Sequence, residues 1–182
     1  MTNKKIKKPF YKVSSNFFDQ LLSSSKRKNE NLFVFLYKKF LNYILETLAY
    51  NCPINSLRIR FHKWRGVKIG KNVMIGLRVT LDHSHPDYIT IEDDVSLAGN
   101  NYVLAHSNPY PHFENAMDSF VSPVKFEKGS WIGIGATILP GVTIGKYSIV
   151  AACSLVSKNV DTKTLVGGMP AKFIKKIEVN EK

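Results

Sequence analysis

Hydrophobic residues return at every sixth position in the stretch SWIGIGATILPGVTIGKYSIV, which covers residues 130–150. The repeated aliphatic residues are Ile132, Ile138, Ile144 and Val150. An amphipathic helix requires apolar residues at i, i+3, i+4 and i+7, and a half-buried strand requires strict alternation, so neither element explains the pattern. Glycine or proline also occurs every few residues, and both destabilise a helix interior. A period of six instead predicts a short strand followed by a turn, repeated along the chain.

The six-residue grid extends from Val67 to Val156 and is interrupted by two insertions. The positions expected to point inward carry large apolar residues, at Ile69, Ile75, Leu81, Ile91, Leu97, Val103, Phe126, Ile132, Ile138, Ile144, Val150 and Val156. Small or β-branched residues lie two positions earlier in each hexad, at Val67, Val73, Val79, Ile89, Val95, Val124, Ser130, Ala136, Val142, Ser148 and Ser154. Three hexads close one triangular coil, and successive coils stack at strand spacing, about 4.8 Å. The pattern therefore predicts an all-β fold, a parallel β-helix whose inward residues form continuous ladders.

A helix is predicted before the grid. Residues 31–50, NLFVFLYKKFLNYILETLAY, have the apolar spacing of an amphipathic helix that ends before a proline. Lys38, Lys39 and Glu46 interrupt the apolar run, so it is too polar to span a bilayer. Two interpretations remain open, because the helix either packs on the rest of the protein or lies in a membrane interface. Residues 54–66 have the composition of a basic connector.

The positive charge is concentrated at one end of the chain. The net charge is +12, but residues 1–72 contain sixteen Lys or Arg residues against three acidic residues, a net of +13. Residues 73–182 contain ten basic and eleven acidic residues, a net of −1. This distribution argues against a nucleic-acid groove along the β-helix. It fits either an anionic neighbour of the N-terminal region, with anionic lipid the leading candidate, or a charged segment that is simply solvated.

The N-terminus and the cysteines indicate a compartment. The first residues, MTNKKIKKPFYKV, have a basic run but no adjoining apolar core and cleavage site, so no secretory signal is predicted. Cys52 and Cys153 are far apart and have no metal-ligand spacing, as expected for two thiols in a reducing environment. We therefore expect a cytoplasmic protein. Peripheral contact with an anionic membrane through residues 1–50, at the inner face, is the further interpretation that the charge allows.

Two insertions break the grid, and chemistry is expected there because the interior of a β-helix coil is packed shut. The first insertion follows Leu81 and the second follows Val103. Counting faces along the grid places these two residues on the same face in adjacent coils. Both insertions should then leave the coils at one corner, which would bring Asp82 and His83 within several ångströms of His106.

Four stretches are typical of one family, namely LAHSNP, SWIGIGATILPGVTIG, SLVSKNV and VGGMPAKFIKKI. Residues 67–177, which contain them, resemble the hexapeptide-repeat acyltransferases, whose fold is a left-handed parallel β-helix. The sugar O-acetyltransferases of the galactoside and maltose acetyltransferase type, together with polysaccharide-modifying members, are most similar by motif. The resemblance implies an acyltransferase domain at 67–177 with an excursion loop at about 104–123. It leaves a basic N-terminal helical region and connector at 1–66 and a short tail at 178–182.

The resemblance also implies an activity and a general base. Members of this family transfer acetyl from acetyl-CoA to a hydroxyl of a sugar or saccharide, and here a cell-surface polysaccharide or its precursor is the implied acceptor. The family's base is the histidine that opens the excursion loop, which is His106 in this sequence. Histidine suits the task because its pKa lies near the working pH.

Two neighbouring residues complete the implied site. Asp82 is the carboxylate that would accept from the other ring nitrogen of His106 and fix its tautomer, although an aspartate at this position also suits a simple turn. His83 is the main rival for the base, because the string LDH is similar to the active-site string of serine acetyltransferases. The rest of that family's pattern is missing, so His83 is interpreted as a residue that lines the substrate site.

The binding residues follow from the same resemblance. Trp131 resembles the family tryptophan at the acetyl-CoA site, although an outward aromatic residue also suits a subunit contact. Gly133 and Ala152 match positions that contact the pantetheine arm. Cations for the phosphate groups of acetyl-CoA are implied at three lysines, each of which is otherwise a solvated surface residue: Lys158, Lys172 and Lys175. The resemblance implies a homotrimer and no metal.

Three other functions compete with this one. An N-acetyltransferase acting on an amino sugar or nucleotide-linked sugar is the first, because nothing in the sequence separates a hydroxyl from an amine acceptor. A zinc enzyme like the γ-class carbonic anhydrases is the second, suggested by the histidines near the insertions, but that family's Arg-rich and Gln-rich strings are absent. A non-catalytic assembly protein is the third.

Overall fold

The computed structural model of the protein describes residues 5–10, 16–28 and 31–179. Three helices precede most of the β-structure, and they are α1 (Phe17–Lys28), α2 (Leu32–Asn51) and α3 (Asn55–Trp64). Helix α2 lies within one residue of the predicted helix at both ends. Its first turn is capped by Asn31, whose side-chain oxygen accepts a 2.9 Å hydrogen bond from the backbone N–H of Phe33.

Helix α3 corrects the expectation of a connector at residues 54–66. Side chains of this helix contact the first coil. The Asn55 side chain bonds to the backbone of Val73 and Ile75 at 3.1 and 3.0 Å, and Arg58 Nε donates to the carbonyl oxygen of Ile75 at 2.7 Å. The helix is therefore fixed on the first coil of the β-structure.

The strands are short, as a period of six requires. In chain order they are β1 (Ile6–Lys7), β2 (Lys68–Ile69), β3 (Met74–Ile75), β4 (Thr80–Leu81), β5 (Ile89–Ile91), β6 (Ser96–Leu97), β7 (Tyr102–Val103), β8 (His106–Ser107), β9 (Phe120–Val121), β10 (Val124–Phe126), β11 (Trp131–Ile132), β12 (Thr137–Ile138), β13 (Thr143–Ile144), β14 (Ile149–Val150), β15 (Leu155–Val156), β16 (Thr164–Gly168) and β17 (Ala171–Lys176). Short 3₁₀ turns lie at Pro86–Tyr88 and Pro111–Phe113.

Parallel pairing arranges most of these strands into three faces of a β-helix. The first face contains β2, β5, β10 and β13, the second contains β3, β6, β11, β14 and β16, and the third contains β4, β7, β12 and β15. The register keeps the grid aligned from coil to coil. For example, Leu81 pairs with Val103 and Ile138 pairs with both Val103 and Val156.

The interior of the coils is the hydrophobic core. Of the inward positions predicted from the grid, all are buried except Ile69, which is partly exposed in the first coil. All the residues two positions earlier are also buried. The corners bring neighbouring coils so close that a Cβ at Gly76 would collide with the carbonyl group of Ala98 in the next coil. This contact explains why glycine is required at that corner.

The second insertion forms its own small antiparallel sheet. Strand β8 pairs with β9, and β9 also pairs with β1 from the N-terminal region. After the last coil, β16 turns back through β17 as an antiparallel hairpin. None of the helices that the structure describes is both long and apolar enough to cross a membrane.

Candidate active site

The two insertions meet at one corner because of the strand register. Leu81 and Val103 pair in parallel on the third face, and the backbone N–H of Asp82 continues the ladder by donating to the carbonyl oxygen of Val103 at 2.9 Å. The chain leaves the grid directly after both residues. Asp82 and His106 therefore lie side by side, although they are 24 positions apart in the sequence.

The Asp82 carboxylate is buried, with 1% of the residue exposed, and accepts four hydrogen bonds. Its Oδ1 accepts from the backbone N–H groups of Ser84 and His85, both at 2.9 Å. Its Oδ2 accepts from the backbone N–H of Ala105 at 2.7 Å and from Nδ1 of His106 at 2.6 Å. Asp82 thus contacts the turn through one oxygen and the His106 ring through the other, so its carboxylate makes both of the contacts considered for it.

The ionisation of Asp82 decides the tautomer of His106. Burial raises the pKa of the Asp82 carboxyl, but the hydrogen bond and charge of His106 and the amides of Ala105 and His85 outweigh it and hold the pKa well below its usual range. An ionised carboxylate only accepts, so the proton on the facing ring nitrogen belongs to His106 Nδ1. In the neutral ring Nε2 is then the acceptor, and among the described residues it has no hydrogen-bond partner.

Two further histidines surround this pair. The ring centroids of His83 and His85 lie 6.4 and 5.5 Å from that of His106. His83 is exposed, and its Nε2 lies 3.1 Å from Oγ of Ser84. The His106 side chain is 23% exposed, which leaves it reachable for a substrate. His85 was not predicted to belong to the site. The sequence of the first insertion alone does not indicate which of its residues turns toward the second insertion.

Arg65 and Asn42 are further residues at this corner that the sequence did not single out. Arg65 donates to the carbonyl oxygens of Leu81 and Asp82, and Asn42 donates to the carbonyl oxygen of His83. Arg65 lies in a segment rich in Arg and Lys, most of which face solvent. No sequence signal distinguishes Arg58 and Arg65, whose guanidinium groups turn inward, from the exposed basic residues around them.

The residues predicted to bind the donor lie elsewhere on the chain. Trp131 is 51% exposed on β11, which belongs to the second face rather than the third. Gly133 follows that strand at a corner where coils touch, since a Cβ there would lie 2.5 Å from the backbone nitrogen of Ala152. Gly133 and Ala152 are therefore brought together, while the Asp82–His106 pair follows strands of the third face.

The three predicted lysines are exposed. Lys158 follows β15, and Lys172 and Lys175 lie on β17 of the C-terminal hairpin. Within the described ranges no group of three His, Cys, Asp or Glu side chains is arranged to hold a metal ion.

Two family profiles match the coils on either side of the excursion loop. The profile described as "Bacterial transferase hexapeptide (six repeats)" matches residues 123–158, and the profile described as "Hexapeptide repeat of succinyl-transferase" matches residues 66–105. Over these two ranges the chain is similar to hexapeptide-repeat transferases. The matched range 66–105 includes Asp82 and the strands β4 and β7, and it ends one residue before His106.

Individual relatives of this hexapeptide-repeat chain are acetyltransferases. Galactoside O-acetyltransferase of Escherichia coli (strain K12) is 27% identical over 125 residues, which are 68% of this chain and 61% of that protein. The structure of a maltose O-acetyltransferase from Clostridium difficile 630 has a TM-score of 0.64 at 25% identity, covering 83% of this chain and 91% of that chain.

A second solved structure shares the fold and was determined with acetyl-CoA. It is a hexapeptide-repeat acetyltransferase from Vibrio cholerae O1 biovar eltor, with a TM-score of 0.66 at 23% identity, covering 80% of this chain and 90% of that chain. Against the curated relatives the coverage is smaller. The chain spans about half of their length, with 44%, 61% and 41% of three of them matched.

Proposed function

We propose that this chain transfers the acetyl group of acetyl-CoA to a hydroxyl group of a sugar or saccharide, in a cell-surface polysaccharide or its precursor. The observation that carries the proposal is the buried Asp82 carboxylate 2.6 Å from Nδ1 of a partly exposed His106. This arrangement leaves Nε2 as a base of fixed orientation, which transfer to a hydroxyl requires. Similarity to hexapeptide-repeat transferases supports acyl transfer as the reaction class.

The geometry suits a direct transfer. His106 Nε2 takes the proton of the acceptor hydroxyl as that oxygen attacks the thioester carbonyl carbon. The carbon–sulfur bond then breaks, and the thiolate of coenzyme A takes the proton back from the imidazolium. Asp82 stabilises the imidazolium during the step and stays ionised. No net proton is gained or lost, and no metal enters the reaction.

The donor site is proposed from the residues at the second face and the C-terminal hairpin. The close corner at Gly133 and Ala152 offers backbone groups without bulky side chains, which suits an extended pantetheine arm. The exposed lysines Lys158, Lys172 and Lys175 would neutralise the phosphates. The Vibrio cholerae acetyltransferase with bound acetyl-CoA supports this choice of donor through the shared fold.

The acceptor is proposed from the relatives. Galactoside and maltose O-acetyltransferases are named for sugar acceptors, and both are similar to this chain over more than half its length. His83, exposed beside His106, would contact the acceptor. An acceptor panel with acetyl-CoA tests the proposal. Release of free thiol that depends on a saccharide supports it, and release that depends only on amino sugars would replace the hydroxyl acceptor by an amine.

A homotrimer and a left-handed coil belong to the same proposal. The Asp82–His106 pair follows the third face, whereas Trp131 projects from the second face and remains exposed. This separation is explained if one chain supplies the Asp82–His106 pair of a site and a neighbouring chain supplies Trp131. Most such oligomers are closed and symmetric. The winding sense is taken from the family, in which these coils are left-handed.

A membrane surface is proposed as a further partner of helix α2. One face of this helix is apolar and exposed, with Phe33 80% exposed. The other members of the face are also exposed, and they are Tyr37, Phe40, Leu41, Ile44 and Leu48. They follow Phe33 at intervals of four, seven, eight, eleven and fifteen residues, which is the spacing of one helix face. The opposite side of α2 carries Asn42 and Glu46, whose side chains bond to Arg65.

Charge favours an anionic bilayer as the occupant of this face. Between residues 31 and 66 the single acidic residue is Glu46, which is turned inward toward Arg65. Lys38, Lys39, Arg60 and Lys63 are exposed in the same segment. Packing two copies of the face together would bring like charges close, whereas anionic lipid is attracted by about 1 kcal/mol for each basic residue near the surface. One side of α2 contacts Arg65, and we assign the other side to the membrane as a proposal.

A further inference from the structure

Three consecutive backbone carbonyl groups beside the Asp82–His106 pair accept hydrogen bonds from N-terminal side chains. Arg65 Nη2 donates to the carbonyl oxygens of Leu81 at 3.0 Å and of Asp82 at 3.2 Å. Asn42 Nδ2 donates to the carbonyl oxygen of His83 at 2.6 Å. The segment that carries the Asp82 carboxylate is therefore held by two side chains that lie outside the β-helical grid.

Arg65 is itself fixed on every side. Its Nε donates to Oδ1 of Asn42 at 2.9 Å, Nη1 lies 3.2 Å from Nδ1 of His62, and Nη2 lies 3.3 Å from Oε2 of Glu46. Its side chain has no exposed surface. Because arginine only donates and a backbone carbonyl only accepts, the orientation of the Asn42 amide between them is determined. A planar guanidinium bound in this way has one geometry, which a lysine ammonium does not reproduce.

The other side of the same peptide is held by the β-helix. The N–H of Asp82 donates to the carbonyl oxygen of Val103, while its own carbonyl oxygen accepts from Arg65. With the backbone fixed at both groups, the short Asp82 side chain has little freedom left. The Arg65 cation also attracts the Asp82 carboxylate. Burial lowers the pKa of Arg65, and the charges of Glu46 and Asp82 oppose that change.

We propose that Arg65 and Asn42 are positioning residues of the acetyl-transfer site, which fix residues 81–83 so that Asp82 holds His106 in its reactive tautomer. Neither residue reaches the reacting atoms, and both act through Asp82. The catalytic consequence rests on the proposed function, whereas the effect on the histidine ring rests on the contacts alone. Helix α2, which carries Asn42, and helix α3, which Arg65 follows, then help to position the active-site residues.

Arg58 supplies a matched control. It is also a buried arginine that binds the backbone of the first coil, since Nε donates to the carbonyl oxygen of Ile75 at 2.7 Å and Nη1 to that of Cys52 at 2.6 Å. Its contacts lie away from residues 81–83. Arg58→Met and Arg65→Met should therefore both lower the melting temperature, because each leaves buried carbonyl groups without a donor.

The test compares full-length Arg65→Met, Asn42→Ala and Arg58→Met with the wild type. The tautomer of His106 is read from the two-bond ¹H–¹⁵N correlations of ¹⁵N-labelled histidine, assigned with His106→Ala. We expect the signature of protonated Nδ1 and unprotonated Nε2 in the wild type and in Arg58→Met, and its loss or averaging in the other two variants. Asn42 is only half-buried, so Asn42→Ala keeps the test decisive if Arg65→Met does not fold.

Kinetics give the second readout. Arg65→Met and Asn42→Ala should lower kcat about 10- to 100-fold with little change in KM for acetyl-CoA, as small displacements of catalytic groups do. In an Asp82→Asn background the same substitutions should have almost no further effect, because their action passes through Asp82. An unchanged tautomer in both variants, or a kcat loss that adds in full to that of Asp82→Asn, would overturn the inference. If the wild type transfers no acetyl group, the proposed function fails, while the tautomer comparison still decides whether these residues position His106.

Discussion

The Nδ1 atom of His106 lies 2.6 Å from Oδ2 of Asp82, and the two residues follow strands that are neighbours in adjacent coils. A β-helix converts a fixed sequence period into spatial adjacency, so two insertions placed one coil apart on the same face must meet. The buried carboxylate and the partly exposed imidazole then form a base of fixed orientation. The proposed chemistry is a consequence of this register.

Replacing His106 by alanine should lower turnover by about two to four orders of magnitude, because the general base is lost. The dissociation constant for acetyl-CoA should change little, since the predicted donor residues lie on other strands. His83→Ala serves as the comparison and should cost less. Steady-state kinetics and acetyl-CoA titration on both variants check this. A mild effect at His106 with abolished activity at His83 would assign the base to His83 instead.

Acid should destabilise the fold through His62. This buried residue receives a hydrogen bond from Arg65 at Nδ1, and its Nε2 has no partner among the described residues. Burial, followed by the charges of Arg65 and Arg58, lowers its pKa to about 3. Between its ordinary pKa of 6.5 and about 3, the unfolded chain therefore binds a proton that the folded chain does not. Stability is lost as pH falls through this window.

The variant His62→Asn keeps an acceptor for Arg65 and removes the titrating group. Between pH 6.5 and pH 4.5 it should lose about 2–3 kcal/mol less unfolding free energy than the wild type, at about 1.4 kcal/mol for each pH unit. Urea unfolding at both pH values measures the difference. His112→Asn, on the exposed excursion loop, should behave like the wild type. Equal pH dependence of His62→Asn and the wild type would show that His62 does not carry the effect.

Anionic vesicles should bind the full-length chain through α2. Binding should weaken with added salt and be absent with neutral lipid, because basic residues and the apolar face act together. A triple variant, Phe33→Ser with Phe40→Ser and Ile44→Ser, should bind much less, whereas Met117→Ser on the excursion loop should bind normally. Co-sedimentation measures all three proteins. Absence of wild-type binding to both lipids at low salt would end the membrane proposal, and a changed oligomeric state of the triple variant would assign the face to a neighbouring chain.

Sedimentation tests the proposed trimer. Analytical ultracentrifugation at the concentration of the activity assay should give a single species of three chains. Trp131→Ala should retain the oligomer if Trp131 belongs to the donor site, and should weaken it if this exposed residue lies in a subunit contact. A stable, fully active monomer would contradict the assignment of one site to two chains.

The coil interior was predictable because its signal is periodic and redundant. Each inward residue such as Ile138 occupies the same slot as many others, and a parallel β-helix leaves no other place for an apolar residue at that slot. The adjacency of Asp82 and His106 was predictable for the same reason, since it requires only the register of Leu81 and Val103.

The N-terminal contacts were not predictable in this way. Helix α2 has apolar residues on its solvent side and polar residues such as Asn42 and Glu46 on the side that binds Arg65. Because the inward side also carries Phe35, Leu45 and Ala49, the apolar pattern alone does not show which side of the helix packs on the protein. Arg65 turns inward because it donates to carbonyl groups that come together only when the first insertion is folded. The periodic pattern of the sequence contains no information about these groups.

The mass of the acceptor after the reaction is the decisive test of acetyl transfer by His106. The wild type and His106→Ala are incubated with acetyl-CoA and each saccharide of the panel. Mass spectrometry then measures the added acetyl groups, and NMR identifies the hydroxyl that carries them. We expect the wild type to add one acetyl group to a hydroxyl of a saccharide, and His106→Ala to form less product by a factor of about 100 or more. Equal acetylation by both proteins, or no acetylated saccharide with the wild type across the panel, would contradict this expectation.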